Sequence, residues 1–200
     1  MRKIVPGVAK GLNINFPEID LDCLRSDEEL FYLCWLSELC DAGYVDNVWY
    51  EYTTFELYGG YEKLYEERLK TKVNHKSERL IKPTVYTPDF KVEWTQKAEG
   101  IFYYDYVDGE RLTRNGQPLY HLGEGLVSHV EIKPVHNQNN MTSYAQVKIN
   151  WLFATQGVYV NMFKIPSMFG MNFYPGEYLV TDTKRLPRKV GLKVLGDYLK

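Results

Sequence analysis

The order of elements along this 200-residue chain predicts a mixed α/β domain, a central sheet with helices on its faces. Three observations predict it. Two segments, Ser26–Ala42 and Ser143–Gly157, carry helix start and stop signals. The runs between them alternate in polarity and are rich in aromatics, as strands are. The second helix joins a strand ending at Lys133 to a strand over Val158–Ile165, a β-α-β unit whose two strands are expected to be parallel or near neighbours.

The first helix, "SDEELFYLCWLSELCDA", opens on an S-x-x-E capping box, Ser26 with Glu29, and Gly43 stops it. Its apolar residues cover almost the whole circumference, so it is expected to be buried. Tyr44–Leu57 alternates and reads as a strand. "GYEKLYEERLKTK" (Gly60–Lys72) reads as a short helix, and Thr84–Trp94 as a strand on which Val85, Thr87 and Asp89 share a face. Ile101–Leu122 reads as strand, turn and strand, with Asp108-Gly109 and Asn115-Gly116 as turn signals. The second helix carries a capping pair of its own, Ser143 with Gln146.

With 44% hydrophobic and 15% aromatic residues, the chain can bury a real core and is not a disordered one. No segment is apolar enough to span a bilayer, and the start lacks the apolar stretch of a secretory signal, so no membrane partner and a cytoplasmic setting are expected. Three cysteines, Cys23, Cys34 and Cys40, without CxxC spacing are expected to be reduced thiols. The net charge of −2 hides an asymmetry. Asn15–Glu67 holds 14 acids and 2 bases, a net of −12; the remainder holds 12 acids and 22 bases, a net of +10. The bases concentrate in Arg68–Pro83 and Lys184–Lys193, which suggests a polyanionic partner for one side of the molecule; two solvated loops are the plainer reading.

"VSHVEIKPVHN" (Val127–Asn137) places Val130 and Ile132 on one strand face and His129, Glu131 and Lys133 on the other. A carboxylate beside an ammonium fits a surface ion pair. It also fits a metal-dependent site if a second carboxylate joins it, and Asp89 in "VYTPDF" is the candidate. Asp89 and Glu131 would hold a hard divalent cation, with the backbone carbonyl of Ile132 as a further ligand. Lys133 would orient or deprotonate a water, or stabilise the charged transition state. The histidines show no zinc spacing.

"TPDF" followed by "VEIKP" resembles the two half-motifs of the PD-(D/E)xK nuclease superfamily, nearest to phage-type Holliday-junction-resolving endonucleases and TnsA-like transposon end-cleaving endonucleases. The resemblance covers about residues 26–165. It implies a restriction-endonuclease-like αβββαβ core and a single nuclease-like domain, with an inserted hairpin at about 95–125 and a basic tail at 181–200. It also implies Mg²⁺ or Mn²⁺ as cofactor and DNA as partner, in a phage or mobile-element setting within a bacterial host cell or virion. A homodimer, or a phage-assembly partner for a non-catalytic subunit, is compatible with it. In such families a Glu on the first helix often completes the metal site, so Glu29 has two readings, capping carboxylate or third ligand. Gln146 and Lys148, early in the second helix, stand where the family contacts the phosphate backbone. The tail adds Lys184, Arg185, Arg188 and Lys189 as DNA-binding candidates. The 41 residues between Asp89 and Glu131 exceed the hairpin usual between these motifs, so whether the two carboxylates meet is the decisive question.

Overall fold

The structure, a computed structural model, describes residues 14–104, 113–114, 117–133 and 141–164. The expected tail residues Lys184, Arg185, Arg188 and Lys189 lie outside them. The described residues form a mixed α/β arrangement with two α-helices and a four-stranded mixed sheet.

Helix α1 (Asp27–Asp41) begins where the sequence sets it: the Ser26 side chain accepts from the Glu29 amide. It ends in a Schellman turn, in which Gly43 N–H donates to the Cys40 carbonyl and Tyr44 N–H to that of Leu39, with Gly43 at φ +76°. Leu30, Tyr32, Leu33, Cys34, Trp35, Leu36 and Leu39 are all buried. This agrees with the apolar circumference read from the sequence. Cys34 is a small hydrophobe whose thiol burial pushes up to about 12.

The central sheet runs in the order β1 (Val45–Tyr50), β6 (Phe90–Trp94), β9 (Val127–Lys133), β10 (Val160–Lys164). β1–β6 and β6–β9 are antiparallel, and β9–β10 is parallel, with His129 opposite Val160 and Lys133 opposite Lys164. Helix α2 (Met141–Gln156) makes the crossover and ends at Gly157, φ +70°. The expected β-α-β unit is therefore present, with its strands paired. The expected Ser143–Gln146 capping pair is not: the helix already runs from Met141, and Gln146 donates to Asn150 one turn on.

The alternation of β9 sorts the molecule into layers. Val130 and Ile132 join Phe90, Val92, Trp94 and Phe163 in the large core beneath α1. On the other face, a smaller cluster of Leu57, Tyr86, Ile149, Leu152 and Val160 packs α2 against a separate two-stranded pair. That pair, β2 (Phe55–Tyr58) with β5 (Thr84–Tyr86), arises because both long expected strands are broken. Tyr44–Leu57 breaks at Glu51, a non-glycine residue at φ +45°. Thr84–Trp94 breaks at Thr87–Asp89, where Pro88 removes a ladder donor.

The expected helix at Gly60–Lys72 is instead β3 (Tyr61–Arg68), paired antiparallel with β4 (Val73–Ile81). A helix there would gather Tyr61, Leu64, Tyr65 and Leu69 on one face, and the antiparallel pairing with residues 73–81 takes precedence over that local period. The ribbon instead satisfies its charges across the strands, where Glu62 meets Arg79 and Glu67 meets Lys76.

The inserted segment is less of an appendage than expected. Its two ends are core: Ala98, Phe102, Tyr103 and Tyr120 are fully enclosed, and the Tyr120 hydroxyl bonds that of Tyr32 at 2.9 Å. Asn161 of β10 pins its return by bonding both the N–H and the carbonyl of His121. β7 (Thr113–Arg114) and β8 (Gln117–Pro118) pair antiparallel, while the expected turns at Asp108-Gly109 and Asn115-Gly116 lie outside the described residues.

Candidate functional site

Glu131 lies in β9, and Asp89 at the bend that feeds β6. The antiparallel register pairs Phe90 with Val130 and Lys91 with His129, so one further step sets Asp89 opposite Glu131. Directly opposed residues share a face, with Cβ atoms ~4.5–5.5 Å apart. The 41-residue gap therefore does not separate the half-motifs, because its chain leaves and returns through the core.

Both carboxylates are buried. Asp89 Oδ2 accepts from the backbone N–H of Ile132 at 2.6 Å, which ties the bend before β6 to the middle of the Glu131–Lys133 triplet. Glu131 is held at both oxygens: Oε1 pairs with Lys133 Nζ, and Oε2 accepts from the Tyr86 hydroxyl at 2.8 Å. The Lys133 side chain is itself mostly enclosed, 12% exposed, so this ion pair is no ordinary surface pair.

Burial first, and the Glu131 charge second, push the Asp89 carboxyl up to about 8. The Ile132 N–H and the Lys133 charge pull the other way. At neutral pH the Asp89 carboxyl therefore tends to keep its proton unless further positive charge enters. The Tyr86 phenol is pushed far up by burial and by Glu131, so it remains a donor.

Glu29 is buried on the α1 side. Its Oε2 accepts from Arg25 N–H and from the Tyr50 hydroxyl, both at 2.8 Å. The capping reading holds in a shifted form: the carboxylate reaches back to the amide of Arg25, not to that of Ser26. Glu29 is near enough to raise Asp89 by its charge. It does not complete a three-carboxylate set, because among the described residues no three His, Cys, Asp or Glu side chains are grouped to hold a metal ion. The donors that remain still suit one hard cation. Mg²⁺ commonly takes one or two carboxylates and fills its octahedron with carbonyl, water and substrate oxygens. Two close buried carboxylates, of which Asp89 is raised first by burial and then by the Glu131 charge, fit that requirement.

Next to the pair is an open groove of about 410 Å³, lined by Arg25, Glu51, Thr54, Val85, Tyr86, Thr87 and Lys148. Tyr86 belongs both to this groove and to the Glu131 hydrogen bond. Lys148 Nζ donates to the Val85 carbonyl at 2.8 Å, so this expected phosphate-contacting residue stands on the groove wall. Gln146 points to Asn150 and does not line the groove. Arg25 is paired with Glu51 at 2.8 Å, and the Glu51 N–H donates to the Asp89 carbonyl. The strained residue at φ +45° thus anchors the bend that presents Asp89.

His129 shares the Glu131 face but packs edge-on against Phe55 at 5.3 Å, and burial lowers its pKa; it is a packing residue. Sequence reasoning missed Tyr86 and Tyr50. Strand alternation put Val85 on the Asp89 face, yet the break at Pro88 turns Val85 outward to 47% exposure and Tyr86 inward. The signal present was the Pro itself, which denies one continuous strand.

No helix of the described residues is long and apolar enough to cross a membrane. No protein-family model, no curated protein and no solved structure matches the chain.

Proposed function

We propose that this chain is a divalent-metal-dependent nuclease of the PD-(D/E)xK kind, hydrolysing phosphodiester bonds in DNA. The observation that carries the reading is the approach of Asp89, at the bend feeding β6, to Glu131 of β9, locked by the Asp89–Ile132 bond, with Lys133 paired to Glu131. The element order supports it. With β2–β5 and the 95–126 segment set aside as insertions, α1, β1, β6, β9, α2 and β10 follow the αβββαβ succession that the sequence resemblance implies.

In this reading Asp89, Glu131 and the Ile132 carbonyl hold Mg²⁺ or Mn²⁺. The bound ion would lower the pKa of a water and neutralise charge growing on the phosphorus. Tyr86 fixes the Glu131 carboxylate through its hydroxyl. Lys133 balances the pair in the resting protein, and acts on the nucleophilic water or the transition-state charge once cation and phosphate enter. Glu29 sits behind Asp89 as a positioning residue, through Tyr50 and the helix start. Lys148 and Arg25 offer positive charge to a phosphate backbone along the groove.

The test is cleavage of supercoiled plasmid and of branched DNA with Mg²⁺ or Mn²⁺, comparing wild type with Asp89→Asn and Lys133→Ala. Wild-type cutting no greater than that of both variants overturns the proposal. A second reading, a nuclease-like fold retained as an assembly subunit without catalysis, is favoured by one observation: both Glu131 oxygens already have protein partners. It predicts that no divalent ion shifts the stability of the wild type.

A further inference from the structure

The β3–β4 ribbon is left over by the carboxylate site. It rises from the β2–β5 pair whose Tyr86 lines the groove, through Gly60 at φ +89°. A Cβ at Gly60 would stand 2.8 Å from the Ile81 carbonyl, so only glycine lets the chain turn into the ribbon there. Eight residues of β3 extend it by ~26 Å. Nearly every residue on both faces is exposed, whereas an isolated two-stranded hairpin is only marginally stable.

The charges along it are not uniform. In the stem, acids and bases cancel across strands: Glu62 with Arg79 at 3.0 Å, and Glu67 with Lys76 at 2.7 Å. From Arg68 to Asn74 there are three Lys/Arg and no acid. The tip is a tight turn closed by Leu69 N–H to the Lys72 carbonyl at 2.8 Å. There Arg68 is 82% exposed and only loosely near Glu66, at 3.8 Å. Lys70 and Lys72 are exposed and form no ion pair among the described residues.

We infer that this ribbon is a nucleic-acid arm, whose cationic tip, Arg68, Lys70 and Lys72, grips phosphates away from the cleavage site. The inference rests on the reading that the substrate is a nucleic acid. A two-stranded ribbon is of a size to enter the ~12 Å major groove of a duplex. A second copy of the chain is the poorer occupant: two such tips repel, and charged ribbon edges resist strand-to-strand pairing.

The experiment uses the full chain, a fluorescein-labelled 30-base-pair duplex and EDTA to prevent cutting. Anisotropy titrations from 50 to 300 mM salt compare wild type with Arg68→Gln/Lys70→Gln/Lys72→Gln. Each lost phosphate contact removes roughly 0.9 from the slope of log K against log salt. The triple variant should therefore lose about 2–3 from the slope and at least about tenfold in affinity. Near-UV circular dichroism checks its fold, and Lys70→Gln/Lys72→Gln, confined to the turn, serves if the triple variant is altered. An unchanged slope overturns the arm, as does a slope change that only follows loss of a dimer in light scattering. Wild type that cuts DNA with an arm-independent slope sinks the arm alone. Wild type that binds through the arm but never cuts sinks the nuclease reading alone. Wild type that binds no duplex at 50 mM salt sinks both.

Discussion

Replacing Asp89 with Asn should stabilise the metal-free protein at alkaline pH and leave it unchanged in acid. The Asp89 carboxyl rises from 3.8 to about 8 on folding, because it is buried beside Glu131. Between those values the folded state keeps a proton that the unfolded chain has released. Stability is therefore lost as pH climbs through that window, and the loss is complete above about 8. Four units at about 1.4 kcal/mol each set an upper bound of about 6 kcal/mol. Water entry and relaxation, which hold effective dielectrics near 20 even at buried sites, reduce this to about 2–3 kcal/mol. Asn has the same shape, and its carbonyl oxygen still accepts from Ile132 N–H.

Urea unfolding followed by tryptophan fluorescence is the assay, since Trp35 and Trp94 are both buried. With EDTA present, Asp89→Asn should match wild type only below pH 3.8, exceed it slightly at pH 5, and exceed it at pH 8.5 by about 1 M in midpoint for a slope of about 2–3 kcal/mol per M. The difference between variants cancels the titrations of groups that do not interact with Asp89. Adding Mg²⁺ at pH 8.5 should then stabilise wild type, by about 2.7 kcal/mol at a hundred times its dissociation constant, and leave Asp89→Asn unmoved. A variant less stable than wild type at pH 8.5, or a difference independent of pH, refutes the crowded pair.

The other variants probe the supports around that pair. Tyr86→Phe removes the donor to Glu131 Oε2 and should cost about 1–3 kcal/mol at pH 7, read from the same urea midpoints. Lys133→Met leaves the buried Glu131 charge without its cation; a loss of about 3–5 kcal/mol at pH 7 that shrinks in acid is expected. Ser26→Ala deletes the cap on α1 and should cost about 1 kcal/mol at every pH, measured by thermal melting.

The sequence was most informative where one signal dominated locally. The α1 boundaries follow from Ser26 and Gly43, and the β-α-β unit follows from the second helix with strands on either side. It was misleading where distant partners decide. Gly60–Lys72 reads as a short helix, and its strand state depends on pairing with residues 73–81. The Asp89–Glu131 encounter depends on β6 lying beside β9, which 41 intervening residues conceal. Tyr86 was hidden for a different reason. Alternation extrapolated through Pro88 assigns it to the wrong face, and only the break between β5 and β6 returns its hydroxyl to Glu131.

A buried polar network held only for rigidity and a resting cation site differ in what they do with their charge balance. A rigidifying network needs every group satisfied at neutral charge. Here two carboxylates and one ammonium leave one negative charge, or one retained proton, in a buried place. Burial, and after it the Glu131 charge, raise the Asp89 carboxyl despite its bond to Ile132 N–H. Evolution toward stability alone would replace one acid by an amide, the change tested above. The pair instead lies beside an open groove whose wall carries Lys148 and Arg25. A strained Glu51 holds the Asp89 carbonyl in place there, and strain is tolerated where the surrounding structure requires it. Excess negative charge, an adjoining groove and an over-determined bend are the features on which the cation site proposed above rests.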